Sequence, residues 1–239
     1  YRSIPMEDIL REAEALTLEG AKEIILVAQE TTLYGVDLYG EKSLHKLLRA
    51  LSKLEGLEWI RILYCYPEEI ELPLIEEIRD NPKVCHYLDL PIQHSSNRIL
   101  KAMNRKTRRE ELQEKIALLR KEIPDICLRT TLITGFPGET EEDVEDLLSF
   151  LTEERFDRLG VFPYSREEGT KAALMENQLP ESIKNKRLSR LMDLQQEIAF
   201  QKADAQIGRV LKALVIGYDE EEKRVVLRTY MDSPCLLYT

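Results

Sequence analysis

Short apolar runs and amphipathic stretches alternate along this chain from residue 6 to about residue 163. Pro5 opens an amphipathic segment over 6–19 that Gly20 ends, the proline-start and glycine-stop pattern of a helix. "EIILVA" (23–28) reads as a buried strand, followed by a helix over 43–53. The alternation continues with strand 59–64, helix 68–79, strand 84–90, helices 97–102 and 108–122, strand 126–134, helix 141–153 and strand 156–162. Continuous apolar strands separated by helices predict a parallel sheet covered by helices. Five strands are countable and a helix comes first, so the array is expected to lack its opening strand.

After "FPYSREEGT" the texture changes. Residues 180–206 form one long charged helix, with Leu188, Leu191, Leu194 and Ile198 at helical spacing. "GRVLKALVIGYDEEEKRVVLRTY" then gives two alternating strands across an acidic turn, the start of a small β-barrel whose pattern breaks off after Pro234. The expected organisation is a core over 1–180, a connecting helix over 181–205 and a partial β domain over 206–239.

Ligands of parallel α/β folds bind at the carboxyl ends of the strands. The loops there read "QETTLYG" (29–35), "YCYPEEI" (64–70), "LPIQHSS" (90–96), "GFPGET" (135–140) and "FPYSREEGT" (162–170). Together they offer Gln29, Thr31, Tyr66, Gln93, His94, Ser95, Ser96 and Tyr164, with Arg129 in the strand before "GFPGET". Gly135 and Gly138 carry no side chain, so backbone groups can approach a flat ligand there. Pro137 stiffens the turn, and Thr140 with Glu141 and Glu142 caps the next helix. A tight βα turn needing one left-handed glycine is the plainer alternative. The loop lacks the Gly-Lys-[Ser/Thr] ending of a P-loop, so a nucleoside-like ligand fits better than a polyphosphate. Arg129 sits among apolar neighbours, and a buried arginine needs an anion.

Composition narrows the class. The 239 residues carry a formal net charge of −10, the wrong sign for broad nucleic-acid affinity. The basic run 98–115 holds no interleaved aromatics for base stacking, so it is expected to be a solvated helical face, with Arg105 as the member able to turn inward. No run of about 18 apolar residues exists to span a membrane, and a cytoplasmic protein is expected. The four cysteines, at 65, 85, 127 and 235, have no metal-site spacing.

"RTTLITGFPGET" together with "FPYSREEGT" resembles the methylthiotransferase group of radical S-adenosylmethionine (SAM) enzymes. "QETTLYGVDLYG", "YCYPEEI", "LPIQHSSNRILKAMNRKTRREEL" and "FDRLGVFPYSREEGT" are similar to its RimO branch, which modifies an aspartate of a small-subunit ribosomal protein. The tRNA-modifying MiaB branch matches less well, tending to Gln-Ser-Gly where this chain has Gln93-His94-Ser95. The resemblance implies an α/β fold, a partial (βα)6 radical-SAM-type barrel with its first strand missing, and an incomplete TRAM-like β-barrel at the C-terminus.

It further implies SAM and 4Fe-4S clusters as cofactors, an electron donor and a ribosomal-protein substrate. The cluster cysteines are expected upstream of Tyr1, with none of Cys65, Cys85, Cys127 or Cys235 as a substitute. The chain alone is then expected to be inactive, and a monomer, with RNA binding not dominant. The implied SAM site takes Gln29 at the methionine amino end, or else Gln29 satisfies local backbone groups. Arg129 meets the SAM carboxylate, or else an internal Asp or Glu. Ser95 or Ser96 reaches the ribose or carboxylate, with Ser96 equally suited to an N-cap. Gly135, Phe136 and Gly138 wall the adenine, with Phe162 and Tyr164 beside it, and Gln93 is counted among the cofactor-binding residues. His94 is expected as a hydrogen-bonded rim residue, since radical hydrogen abstraction needs no general base, and Tyr66, following a strand end, is expected to face the substrate. The alternatives are a tRNA methylthiotransferase, a barrel enzyme with ordinary acid–base chemistry, and a non-catalytic docking fragment.

Overall fold

The structure is a computed structural model and describes residues 2–234. Five parallel strands, β1 (Glu23–Leu26), β2 (Trp59–Ile62), β3 (Val84–Gln93), β4 (Cys127–Thr134) and β5 (Arg158–Pro163), form one sheet in sequence order. The register pairs Ile24 with Ile60 and Ile62 with Leu88, and Arg129 with Arg158 through Thr134 with Pro163. The helices are α1 (Met6–Leu18), α2 (Val36–Tyr39), α3 (Leu44–Leu51), α4 (Leu72–Asp80), α5 (Asn97–Ala102), α6 (Arg109–Glu122), α7 (Glu141–Glu154) and α8 (Glu181–Asp204). An antiparallel hairpin, β6 (Ala213–Asp219) and β7 (Arg224–Thr229), follows. Among the described residues no helix is long and apolar enough to cross a membrane.

The chain divides into two compact units. One holds the residues up to Leu63, Glu71–Leu88 and those from Gly208 onward. Its core is the leucine stripe of α3, Leu44, Leu47, Leu48 and Leu51, all buried at helical spacing. All four β2 residues are also buried, and one of them is an arginine. Arg61 is fully enclosed, pairs with Glu23 at 2.8 Å, donates to the Tyr230 carbonyl at 2.7 Å and stacks on the Tyr87 ring. The partners make burial tolerable, because an unpaired buried charge is costly. Arg228 of β7 shares the same Glu23.

The other unit holds Tyr64–Ile70 and Asp89–Ile207. Its core packs Leu112, Ile116 and Leu119 of α6, Val144, Leu147 and Phe150 of α7, and Leu191 and Ile198 of α8. Thr140 caps α7 as expected: its hydroxyl accepts from the Asp143 N–H, and the Asp143 carboxylate accepts from the Thr140 N–H.

Three expectations are corrected. The single helix over 68–79 is a 3-10 turn, Pro67–Glu69, followed by α4, because Pro73 lacks the N–H that a helix interior requires and is tolerated only in a first turn. The strand over 84–90 runs on to Gln93. The strand over 156–162 begins at Arg158, since Arg155 closes α7 with a left-handed backbone and Phe156 turns into the core. Helix α2, set between left-handed Gly35 and Gly40, was not foreseen. Residue Cys235 and the end of the barrel pattern lie outside the described residues.

Candidate functional site

The ends of β3, β4 and β5 open onto one cleft of about 690 Å³ in the second unit. Gln93, Phe136, Phe162 and Tyr164 all line it, so four of the residues expected at a ligand site come together. Gln93 ends β3 with φ +71°, a left-handed backbone that costs a glutamine about 1–2 kcal/mol. Its Oε1 is buried and has no hydrogen-bond partner, and the Tyr164 hydroxyl is in the same position. Buried polar atoms of native proteins are almost always satisfied. Both atoms belong to residues that line the cleft and lie just beneath its surface, which suits a polar ligand there. Phe136 and Tyr164 meet edge to face at 5.4 Å and pack with Ile99, which keeps water from the cleft floor. Phe162 is half exposed at the rim.

The "GFPGET" loop differs from expectation behind the cleft. Gly135 (φ +74°) is packed against Lys184 of α8, so its missing side chain makes room for protein, not for a ligand. Gly138 (φ +79°) has only the tip of Arg98, 3.9 Å away, at the same point and donates its N–H to the Asn177 carbonyl at 3.0 Å. Beneath the loop lies an ion cluster absent from the sequence reading. Buried Glu139 accepts from the Gly135 N–H and from Thr134 Oγ1, and is paired with Arg187 of α8 at 3.2 Å. Lys184, also buried, donates to the Tyr164 carbonyl at 2.7 Å and to Glu181 at 2.6 Å. Helix α8 thus anchors two of the cleft-forming loops. Within a helix read only as long and charged, no pattern separates Lys184 and Arg187 from their charged neighbours.

The remaining candidates are largely committed to the protein. Ser95 Oγ donates to Asp146 and Ser96 Oγ to Asp143, each at 2.8 Å. Ser96 occupies the N-cap position of α5, but its hydroxyl serves α7 instead. His94 is fully buried, which corrects the expectation of a rim residue. Its Nδ1 accepts from the Ser96 N–H at 2.9 Å, and its Nε2 lies 3.6 Å from Glu139. Arg129 has its anion inside the protein: Nη1 lies 2.6 Å from Asp89. Burial pushes the Asp89 carboxyl above the usual carboxylate range, with Arg129 opposing. Asp143 shows the other balance. Burial raises it, but bonds from Thr140 and Ser96 and the Arg98 guanidinium outweigh that and hold it below the usual range.

Gln29 lies in the first unit, exposed beyond the end of β1, in a cavity of about 350 Å³ with Ser3, Thr31 and Tyr34. In the basic run, Lys101, Lys106 and Arg108 are exposed as a solvated face requires, while Arg98 pairs with Asp143 and Arg109 with Asp146 and Glu153, tying α5 and α6 to α7. Arg105 turns inward, as the sequence allowed, and stacks over the Tyr66 ring at 4.8 Å. Cys65, Cys85 and Cys127 are buried, and burial pushes the Cys85 thiol up to about 12. No group of three His, Cys, Asp or Glu side chains able to hold a metal occurs among the described residues.

Residues 1–151 match the radical SAM superfamily. The chain belongs to that superfamily. The ribosomal protein uS12 methylthiotransferase RimO of Lachnoclostridium phytofermentans is 56% identical to it over 234 residues, covering 98% of this chain and 53% of that protein. RimO of Clostridium botulinum is likewise 56% identical over 221 residues, covering 92% and 50%. The chain therefore spans about half the length of the curated relatives it matches. Streptococcus suis SuiB bound to S-adenosylmethionine superposes with a TM-score of 0.57 over 82% of this chain and 42% of that one. At 15% identity the likeness is one of fold, and this radical SAM chain shares that fold.

Proposed function

We propose that this chain is the barrel portion of a cytoplasmic radical SAM methylthiotransferase of the RimO type. It adds a methylthio group to the β-carbon of an aspartate in ribosomal protein uS12. The observation that carries this is the 56% identity to RimO, which extends over 234 residues and so takes in every loop lining the cleft. The sheet is read as a partial (βα)6 barrel lacking its first strand, residues 1–180 as the core and 181–205 as the connecting helix. Residues 206–239 are read as part of a TRAM-like β domain. Val215, Val225 and Leu227 of the hairpin are more than half exposed, which suits a larger β unit.

The cleft fits the adenosyl part of SAM, because its two orphaned polar atoms match groups that ligand carries. Gln93 Oε1 is read as an acceptor for the adenine amino group or a ribose hydroxyl, and Tyr164 Oη as a hydrogen-bonding group for the same moiety. Phe136 and Phe162 supply apolar walls. SAM, when bound with a reduced 4Fe-4S cluster and an electron donor, supplies abstraction of hydrogen from an unactivated carbon. The residues of this chain bind, orient and keep water out. Among the described residues no Asp, Glu or His lines the cleft, which suits a hydrogen transfer that needs no general base. The cluster is assigned to none of the described residues, since the three described cysteines are buried and form no ligand group. Ser95, Arg129 and Gly135 serve to hold the loops in place, and Gln29 is given no part in the cleft.

A net charge of −10 suits docking to a basic ribosomal protein. The test uses the full polypeptide, anaerobically reconstituted, with SAM, reductant, a sulfur source and either uS12 or tRNA. Peptide mass spectrometry is expected to find a methylthio group on one uS12 aspartate. Modification of a tRNA adenosine with none on uS12 would replace this reading with the tRNA-modifying one.

A further inference from the structure

The cleft carries cations that no carboxylate among the described residues pairs with. Arg105 and Lys171 both line it, no acidic residue does, and this is in a chain with ten excess negative charges. Among the described residues neither side-chain cation has an ion-pair partner, whereas Arg98, Arg109, Arg120 and Arg129 of the same unit are each tied to a carboxylate.

Arg105 is also held in place. Helix α5 ends at Ala102, and Asn104 follows with φ +60°, a left-handed position that asparagine tolerates. The Arg105 N–H then returns to the Leu100 carbonyl at 2.8 Å, which fixes where its side chain leaves the backbone. The guanidinium lies over the Tyr66 ring at 4.8 Å. Stacking occupies a guanidinium's face and leaves its N–H edges free, and those edges match a carboxylate. The arrangement is a preformed carboxylate fork in the cleft that Gln93 and Tyr164 also line.

We propose that Arg105, assisted by Lys171, binds the side-chain carboxylate of the substrate aspartate and so selects aspartate over asparagine. This rests on the methylthiotransferase reading of the cleft. Under that reading the carbon to be modified is bonded directly to the carboxylate. A two-point hold on the carboxylate therefore positions the β-carbon within one bond length, the kind of orientation that makes a transfer effectively intramolecular. Arg105 is a specificity and positioning residue. It takes no proton and no electron.

The test measures binding of fluorescent uS12 peptides, bearing the target Asp or an Asn in its place, to the reconstituted full polypeptide, alongside its affinity for SAM. The unaltered protein is expected to prefer the Asp peptide about tenfold or more, the size of a charged hydrogen-bonded contact. Arg105→Gln is expected to erase that preference and Arg105→Lys to retain part of it, with SAM affinity held within about twofold in both. An Asp preference that survives in Arg105→Gln overturns the proposal. So does a matching fall in SAM affinity, which would assign the fork to the cofactor's own carboxylate. An unaltered protein that binds SAM but neither peptide, and leaves uS12 unmodified, removes the functional reading itself; a protein that modifies uS12 yet ignores the Asp-to-Asn change removes only the role of Arg105.

Discussion

Gly135 and Gly138 share a left-handed backbone but not a neighbourhood. A Cβ at Gly135 would lie 3.0 Å from Lys184 Cβ and closer still to its Cγ, atoms rooted in α8 that cannot swing aside. At Gly138 the nearest atom is the tip of Arg98, 3.9 Å away. Gly138→Ala is expected to cost about 1 kcal/mol from backbone strain alone. Gly135→Ala adds overpacking and is expected to cost about 2–4 kcal/mol. Urea denaturation of the two variants checks the order, and equal losses would contradict the packing described. Gln93 offers the converse. Its left-handed backbone is relaxed by glycine, so Gln93→Gly is expected to stabilise the fold by about 0.5–1 kcal/mol while weakening SAM binding. A variant that loses stability, or keeps full SAM affinity, would show that the strain serves no ligand. At this scale the sequence was informative where a residue acts through its own backbone, as at Gly138 and Thr140. It was silent where a side chain is defined by a distant partner: Glu139 with Arg187, and Gly135 with Lys184, are separated by 48 and 49 residues of chain.

Between elements, α5 and α7 are clasped by hydroxyls and charges. Asp143 caps its own helix, accepts from Ser96 and pairs with Arg98, which explains why its carboxyl stays below the usual range despite burial. A carboxyl depressed in the folded state is more easily protonated when unfolded. Its contribution is fully present above the ordinary aspartate value of about 3.9 and is lost as pH falls through the lower folded value. Stability of the unaltered protein is thus expected to drop more steeply with acidification than that of Asp143→Asn, measured by thermal melts from neutral pH into the acid limb. Parallel curves would remove this role. The α7 cap was legible because Thr140 and Asp143 are local to one another. The clasp was not, because a serine after a strand reads equally well as a cap, and Ser96 stands at the cap position while bonding elsewhere. Helix α4 was misplaced for a simpler reason: Pro73 was available in the sequence as a stop signal and marks the true first turn.

Across the whole molecule, the alternation of apolar runs and amphipathic stretches predicted all five strands of the parallel sheet and both strands of the hairpin. That pattern is legible because burial on both faces forces continuous apolar runs, and those need no knowledge of partners. Which loop side chains converge is a matter of tertiary packing. Gln93, Phe136, Phe162 and Tyr164 do converge, while Gln29 lies in the other unit. The account depends on that convergence marking the adenosyl site. Its most direct test is a crystal structure of the cluster-loaded full polypeptide soaked with SAM. The account predicts the adenine against Phe136, with hydrogen bonds from the ligand to Gln93 Oε1 and the Tyr164 hydroxyl. An adenosyl group bound elsewhere, with both of those atoms still unpartnered, would contradict it.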